Sequence, residues 1–215
     1  MKNWWKILTI FLLFYTLFMG FLGQVPRLPI TNESIRNLYF HVPMWFGMII
    51  ILLVSVVFAI RNLRTRNPID DLYAVECANV GVLYGVLGLV TGMLWAKFTW
   101  GEYWHGDVKQ NMSGIALLIY LAYSVLRSSL KDEQQRATIS GVYNVFAYAM
   151  LIPLLFIIPR LYSSMHPGNG GNPGFNSYDL DSNMRLVFYP AIIGWTLLAW
   201  WVATLRVRVR KLTLI

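Results

Sequence analysis

Three histidines, His41, His105 and His166, are the residues of this chain best suited to hold a metal. A neutral imidazole can give one ring nitrogen to an ion while a neighbour orients the other. His41 stands in Y-F-H-V-P-M-W-F and His166 in S-M-H-P-G. His105 belongs to a dense aromatic stretch from Trp95 to Asp107, reading W-A-K-F-T-W-G-E-Y-W-H-G-D. That stretch sets Trp95, Trp100, Tyr103 and Trp104 beside Lys97, Glu102, His105 and Asp107. Aromatic faces next to ionisable groups suit a flat, partly apolar ligand with a polar edge. Trp and Tyr also collect where a chain meets the membrane–water interface, so the stretch alone does not choose between a ligand floor and an interfacial belt.

The elements that position these residues follow from composition. Over 215 residues the chain is 57% hydrophobic and 13% charged, too few charges to cover a soluble globule, which reads as an integral membrane protein. The net charge of +8 falls in short clusters between apolar runs, the pattern of membrane topology and not of phosphate binding. The single cysteine, Cys77, excludes an intrachain disulfide and a multi-cysteine metal site, and reads as a packing residue. The first apolar run, Trp5 to Gly23, is longer than a signal-peptide core and lacks a small-x-small cleavage site, so it is expected to be a retained helix.

A helix rises about 1.5 Å per residue against a hydrocarbon core about 30 Å thick. On that measure the sequence predicts an all-α membrane protein, one domain over 1–215, built as a bundle of six transmembrane helices. The spans are expected near 5–23, 43–60, 73–96, 112–126, 139–158 and 186–205. The aromatic stretch is expected to lie outside both of its neighbouring runs. Twelve of the 18 Lys and Arg fall on the side of the termini, and Arg27, Arg36, Lys97, Lys109, Arg160 and Arg185 on the other. The positive-inside rule then puts both termini in the cytoplasm and leaves residues 24–42, 97–111 and 159–185 as outer connections holding or bordering all three histidines.

Other features narrow the function. No G-x-x-x-x-G-K-[ST] occurs, so ATP energy would come from another subunit. Gly168, Gly170, Gly171 and Gly174 do not fit G-x-G-x-x-G, because Pro173 takes the last glycine's place; that segment is expected to be a lid or a partner contact. Glu76, Asn79, Thr91 and Asn144 are the polar residues within spans, and Pro153 is a candidate kink. Glu76 lies about a turn inside its span and is expected to reach the interface. No acid–histidine chain crosses the membrane, and no inverted repeat marks a secondary transporter.

Two histidines facing each other across an aromatic floor would give bis-imidazole ligation to haem iron, with tryptophans against the porphyrin face. Zinc competes, but it wants three or four close ligands and would need His105 plus Glu102 or Asp107, leaving the aromatic excess unexplained. Haem propionates need cations or donors. The six outer Lys and Arg are on the correct side, and Arg160 is nearest in sequence to His166.

The W-G-E-Y-W-H-G-D segment, Trp100 to Asp107, resembles the W-G-x-x-W-x-W-D signature of the CcmC/CcmF/CcsA haem-handling family of cytochrome c biogenesis, with Gly106 where the third tryptophan stands. Val90 to Lys97 resembles that family's lead-in, His41 to Pro43 its first outer histidine motif, and His166 holds the place of the second. Chain length and six spans are most similar to the CcmC branch. The resemblance implies haem b carried as cargo at the outer face of the cytoplasmic membrane, with His41 and His166 as axial ligands. It implies Trp100, Trp104 and Asp107 in the binding platform; Trp95, Gly101, Tyr103 and His105 of the same stretch, and Arg160, are further candidates for haem contact. It further implies a haem chaperone, CcmE, as acceptor and CcmA, CcmB and CcmD as complex subunits, CcmA being the ATPase. The departure at Gly106 leaves Tyr103 or His105 to fill the missing ring's place. No nucleophile and base pair marks an enzyme. A permease for a small solute, and a membrane transferase using Glu102 or Asp107 as base, are the competing readings.

Overall fold

A computed structural model describes residues 3–28, 30–166 and 180–213. Six helices are long and apolar enough to cross a membrane, and among the described residues no strand forms. They make this a multi-pass, all-α membrane protein. The glycine-rich segment from Gly168 to Gly174 lies outside the described residues.

Helix α1, Trp4–Leu22, turns Phe11, Phe14, Phe18 and Phe21 outward. It turns the small face of Thr9, Thr16 and Gly20 inward, where both threonine hydroxyls donate to carbonyls one turn back. A helix with so much apolar surface exposed and so few buried residues is one that lipid covers. It packs on α7, Ser182–Thr213, where Trp5 meets Trp201 edge to face at 5.9 Å, so the start of the first helix and the end of the last share one end of the bundle.

The centre is the pair α2, Leu38–Thr65, and α3, Pro68–Trp100, which share the most extensive interface. Its register can be read residue by residue. Gly81, Gly85, Gly88 and Gly92 of α3 meet Leu52, Met48, Trp45 and His41 of α2 in turn. A Cβ on these glycines would come within 2.4, 2.8, 2.9 and 2.6 Å of those side chains. Small residues at near-helical spacing let two backbones approach closely where no hydrophobic effect drives them together. His41 is the last rung of this ladder.

Helix α4, Val108–Ser129, and α5, Glu133–Ile152, complete the bundle. Proline at 153 cannot donate to a carbonyl one turn back. The chain there widens into a single π-helical turn, Pro153–Ile157, before α6, Ile158–Leu161, so the expected kink takes the form of a π-turn. Buried polar groups are tied across helices: Asn144 of α5 donates to the Ser55 hydroxyl at 2.7 Å, which donates to the Ala74 carbonyl at 2.6 Å.

Two expectations need correction. The aromatic stretch does continue an apolar helix: α3 runs on through Lys97 to Trp100 and stops only at Gly101, whose φ of +88° suits glycine. Lysine and tryptophan sustain a helix at the interface, because a long or amphipathic side chain can reach water from there. The second concerns Glu76, whose side chain is enclosed by protein and has no surface open to water. Its carboxylate lies 2.5 Å from Arg206 Nε and 3.0 Å from Arg210 Nε of α7, and these supply the pairing that water would otherwise give.

Candidate functional site

A cleft opens at the end of the bundle away from the termini, between α2, α3, the start of α4 and the π-turn with α6. Its walls are aliphatic and aromatic, with Val42, Trp45, Phe46, Ile49, Leu155 and Phe156 among them. Both His41 and His166 line it, together with Trp95, Lys109 and Arg160.

His41 lies within α2, in its second turn, and not in the connection before it. The Cε1 edge of the ring comes so close to α3 that a methyl group on Gly92 would sit 2.6 Å from it. Its Nδ1 faces the Gly88 carbonyl at 2.9 Å and the Thr91 hydroxyl at 3.3 Å. A carbonyl only accepts, so Nδ1 carries the proton and Nε2 keeps its lone pair. Trp95 and Trp45 flank the ring edge-on, at 5.9 and 6.3 Å between centroids.

His166 reaches the cleft from the chain after α6. Its Nδ1 lies 2.9 Å from Asp107 Oδ1, and this pairing again assigns the proton to Nδ1 and the lone pair to Nε2. Asp107 is the N-cap of α4, accepting from Lys109 N–H at 2.8 Å, and it also accepts from the Ser164 hydroxyl at 3.0 Å and Met165 N–H at 2.9 Å. Burial alone would raise its pKa; the hydrogen bonds from His166, Met165 and Lys109 outweigh that and hold the carboxyl well below the usual range. Asp107 is therefore behind His166 and does not line the cleft.

The rest of the aromatic stretch divides. Trp100 packs edge-on against His166 at 4.8 Å and against His105 at 6.4 Å. Tyr103 and Trp104 are exposed, Tyr103 under Lys97 Nζ and Trp104 over Gly114 with its indole donating to Asn111. His105 is exposed as well, and its N–H donates to Gln110 Oε1. Gly101 and Gly106 have φ of +88° and +77°, with open space where a Cβ would stand. The glycine in the signature tryptophan's place thus belongs to a left-handed turn, not to a crowded contact. Among the six cations expected on the outer side, Lys109 and Arg160 line the cleft, whereas Arg36 pairs with Glu33 and Lys97 donates to the Gly101 carbonyl. Trp45, Gln110 and Phe156 are cleft residues that nothing in the sequence singled out. Only the glycine spacing in α3, which fixes what α2 presents, could have pointed to Trp45.

The family described as CcmC, heme exporter protein C, matches residues 1–214. This chain belongs to the CcmC family. It is 26% identical to heme exporter protein C of Bradyrhizobium diazoefficiens over 78% of this chain and 63% of the relative. It is 24% identical to the protein of that name from Rhodobacter capsulatus over 75% and 65%, and 23% identical to that of Escherichia coli K12 over 95% and 81%. The aligned part thus spans less than two thirds of the first two relatives. For a CcmC-family chain the cleft has a fitting donor set: two imidazoles with Nδ1 occupied and Nε2 available, apolar walls, and two cations at the margin. Among the described residues no three His, Cys, Asp or Glu side chains come together as the three or four close ligands zinc usually takes.

Proposed function

We propose that this protein receives haem b as cargo in the cleft, with His41 and His166 as axial ligands through Nε2, and passes it to a haem chaperone for c-type cytochrome assembly. The observation that carries the reading is the meeting of His41 and His166, 125 positions apart, in one apolar cleft of a CcmC-family chain. Trp95 and Trp45 border the porphyrin on the His41 side and Trp100 on the His166 side, with Gly101, Tyr103, Trp104 and His105 forming the outer rim. Lys109 and Arg160 meet the propionates. His41 is fixed in a helix, while His166 is held through side-chain and loop hydrogen bonds, an arrangement suited to exchangeable ligation.

In this reading the membrane is the cytoplasmic one, the termini face the cytoplasm, and the cleft opens on the outer side, as the distribution of Lys and Arg argues. The acceptor is CcmE, and CcmA, CcmB and CcmD are complex partners, CcmA bringing the ATPase. The chain carries and presents; it has no catalytic step of its own.

Haem titration of the detergent-purified protein tests this. Wild type takes up haem with a Soret band typical of six-coordinate iron, and the H41A/H166A double variant loses that band and most of the uptake. Equal haem content and an identical spectrum in the double variant would sink the ligation. A wild type that takes up no haem would move the permease reading ahead.

A further inference from the structure

The two histidines are held by different chemistry. His41 Nδ1 meets a neutral carbonyl and a hydroxyl, whereas His166 Nδ1 meets a carboxylate. The carboxylate is over-determined: on Asp107, Oδ1 accepts from Lys109 N–H, Ser164 Oγ and His166 Nδ1, and Oδ2 from Met165 N–H. Four donors from two segments more than fifty positions apart converge on one buried side chain. This is more than an N-cap requires.

We propose that Asp107 is a positioning residue that acts on the bound iron through His166: it holds that imidazole in the Nδ1–H form and, by its charge, makes His166 the stronger electron donor of the two histidines. The proposal rests on the haem reading of the cleft. An imidazole N–H shared with a carboxylate takes on imidazolate character, so its other nitrogen becomes a more basic ligand; a backbone carbonyl does this less. A stronger donor favours ferric over ferrous iron. The pair is thus unequal by construction, with His166 setting the potential and His41 supplying a fixed second bond. Asn cannot replace Asp107 in this role. Donors approach both oxygens, so whichever way an amide is turned, its NH2 faces at least one N–H or O–H. It nevertheless matches Asp in volume and can still cap α4, which separates charge from shape.

The first measurement needs no haem. With 15N-labelled histidine in the full chain, three imidazoles are read and assigned with H41Q and H105Q. Wild-type His166 is expected as the Nδ1–H tautomer, and in Asp107→Asn its two nitrogen shifts converge toward those of a tautomer mixture. The second is the midpoint potential of the haem-loaded protein. It shifts upward in Asp107→Asn, returns toward wild type in Asp107→Glu, and does not move in Ser164→Ala, which removes a hydrogen bond to Asp107 but no charge. An Nε2–H tautomer at His166 in wild type would overturn the proposal even if Asp107→Asn failed to fold. So would an unchanged midpoint in a folded Asp107→Asn. A tautomer change without haem uptake by wild type would support the positioning of His166 while ending the haem reading.

Discussion

At the scale of single residues, the site depends on contacts that leave no slack. His41 has its place because Gly92 has no side chain there, and Gly92→Ala would put a methyl 2.6 Å from Cε1. The ring must move or α2 must shift, and overpacking of this kind costs roughly 1–3 kcal/mol. Gly92→Ala is expected to weaken haem binding about tenfold or more, read by titration, with a lesser fall in thermal stability. Asp107 gives a pH dependence with a definite sign. Its folded pKa is lowered, so its hold on Ser164, Met165 and His166 is complete above the ordinary carboxylate range, about pH 4, and is lost as pH falls through the lowered value. Hydrogen exchange at the Met165 amide, corrected for intrinsic rate, should stay protected at neutral pH and lose protection only under strong acid. The residue types of the site were legible in the sequence: imidazoles, tryptophans and outer cations can be picked out by their chemistry alone. Their partners were not. The Asp107–His166 pair joins residues 59 positions apart, and nothing local to either one distinguishes a histidine-orienting carboxylate from an exposed one.

At the scale of helices, apolar length gave the number of spans, but helix ends depend on capping and backbone conformation. The α4 helix begins at Val108, ahead of its apolar run, because Asp107 caps it, and α3 runs to Trp100 because nothing before Gly101 stops it. The same logic applies to the π-turn, which carries Leu155 and Phe156 to the cleft and leads into Pro159 and Arg160. In Pro153→Ala an N–H is restored that can close the ordinary ladder and rotate these residues. The expected result is unchanged helicity by circular dichroism with haem affinity reduced several-fold; unchanged affinity would show that the turn does not set the wall.

At the scale of the whole molecule the two ends of the bundle are built differently. The end that holds the termini is clamped by ion pairs: Asp70 with Arg61, Asp71 with Arg127, and Glu76 with Arg206 and Arg210. The other end holds the open cleft, bordered by the hydrogen bonds of Asp107 with Ser164, Met165 and His166, and is the end at which the proposed cargo would exchange. The Glu76 clamp makes an asymmetric prediction. Removing both arginines leaves a buried carboxylate uncompensated, at about 3–5 kcal/mol. Glu76→Gln leaves two arginines that are already about half exposed and can rehydrate. Thermal unfolding in detergent should therefore show R206A/R210A far less stable than E76Q.

The central claim is that one iron joins the two ends of this cleft through His41 and His166, and electron paramagnetic resonance of the ferric, haem-loaded protein tests it most directly. Wild type should give a low-spin bis-imidazole signal, and H41A and H166A should each convert it to high spin, with added imidazole restoring low spin. A low-spin signal identical to wild type in both single variants, without imidazole, would contradict it.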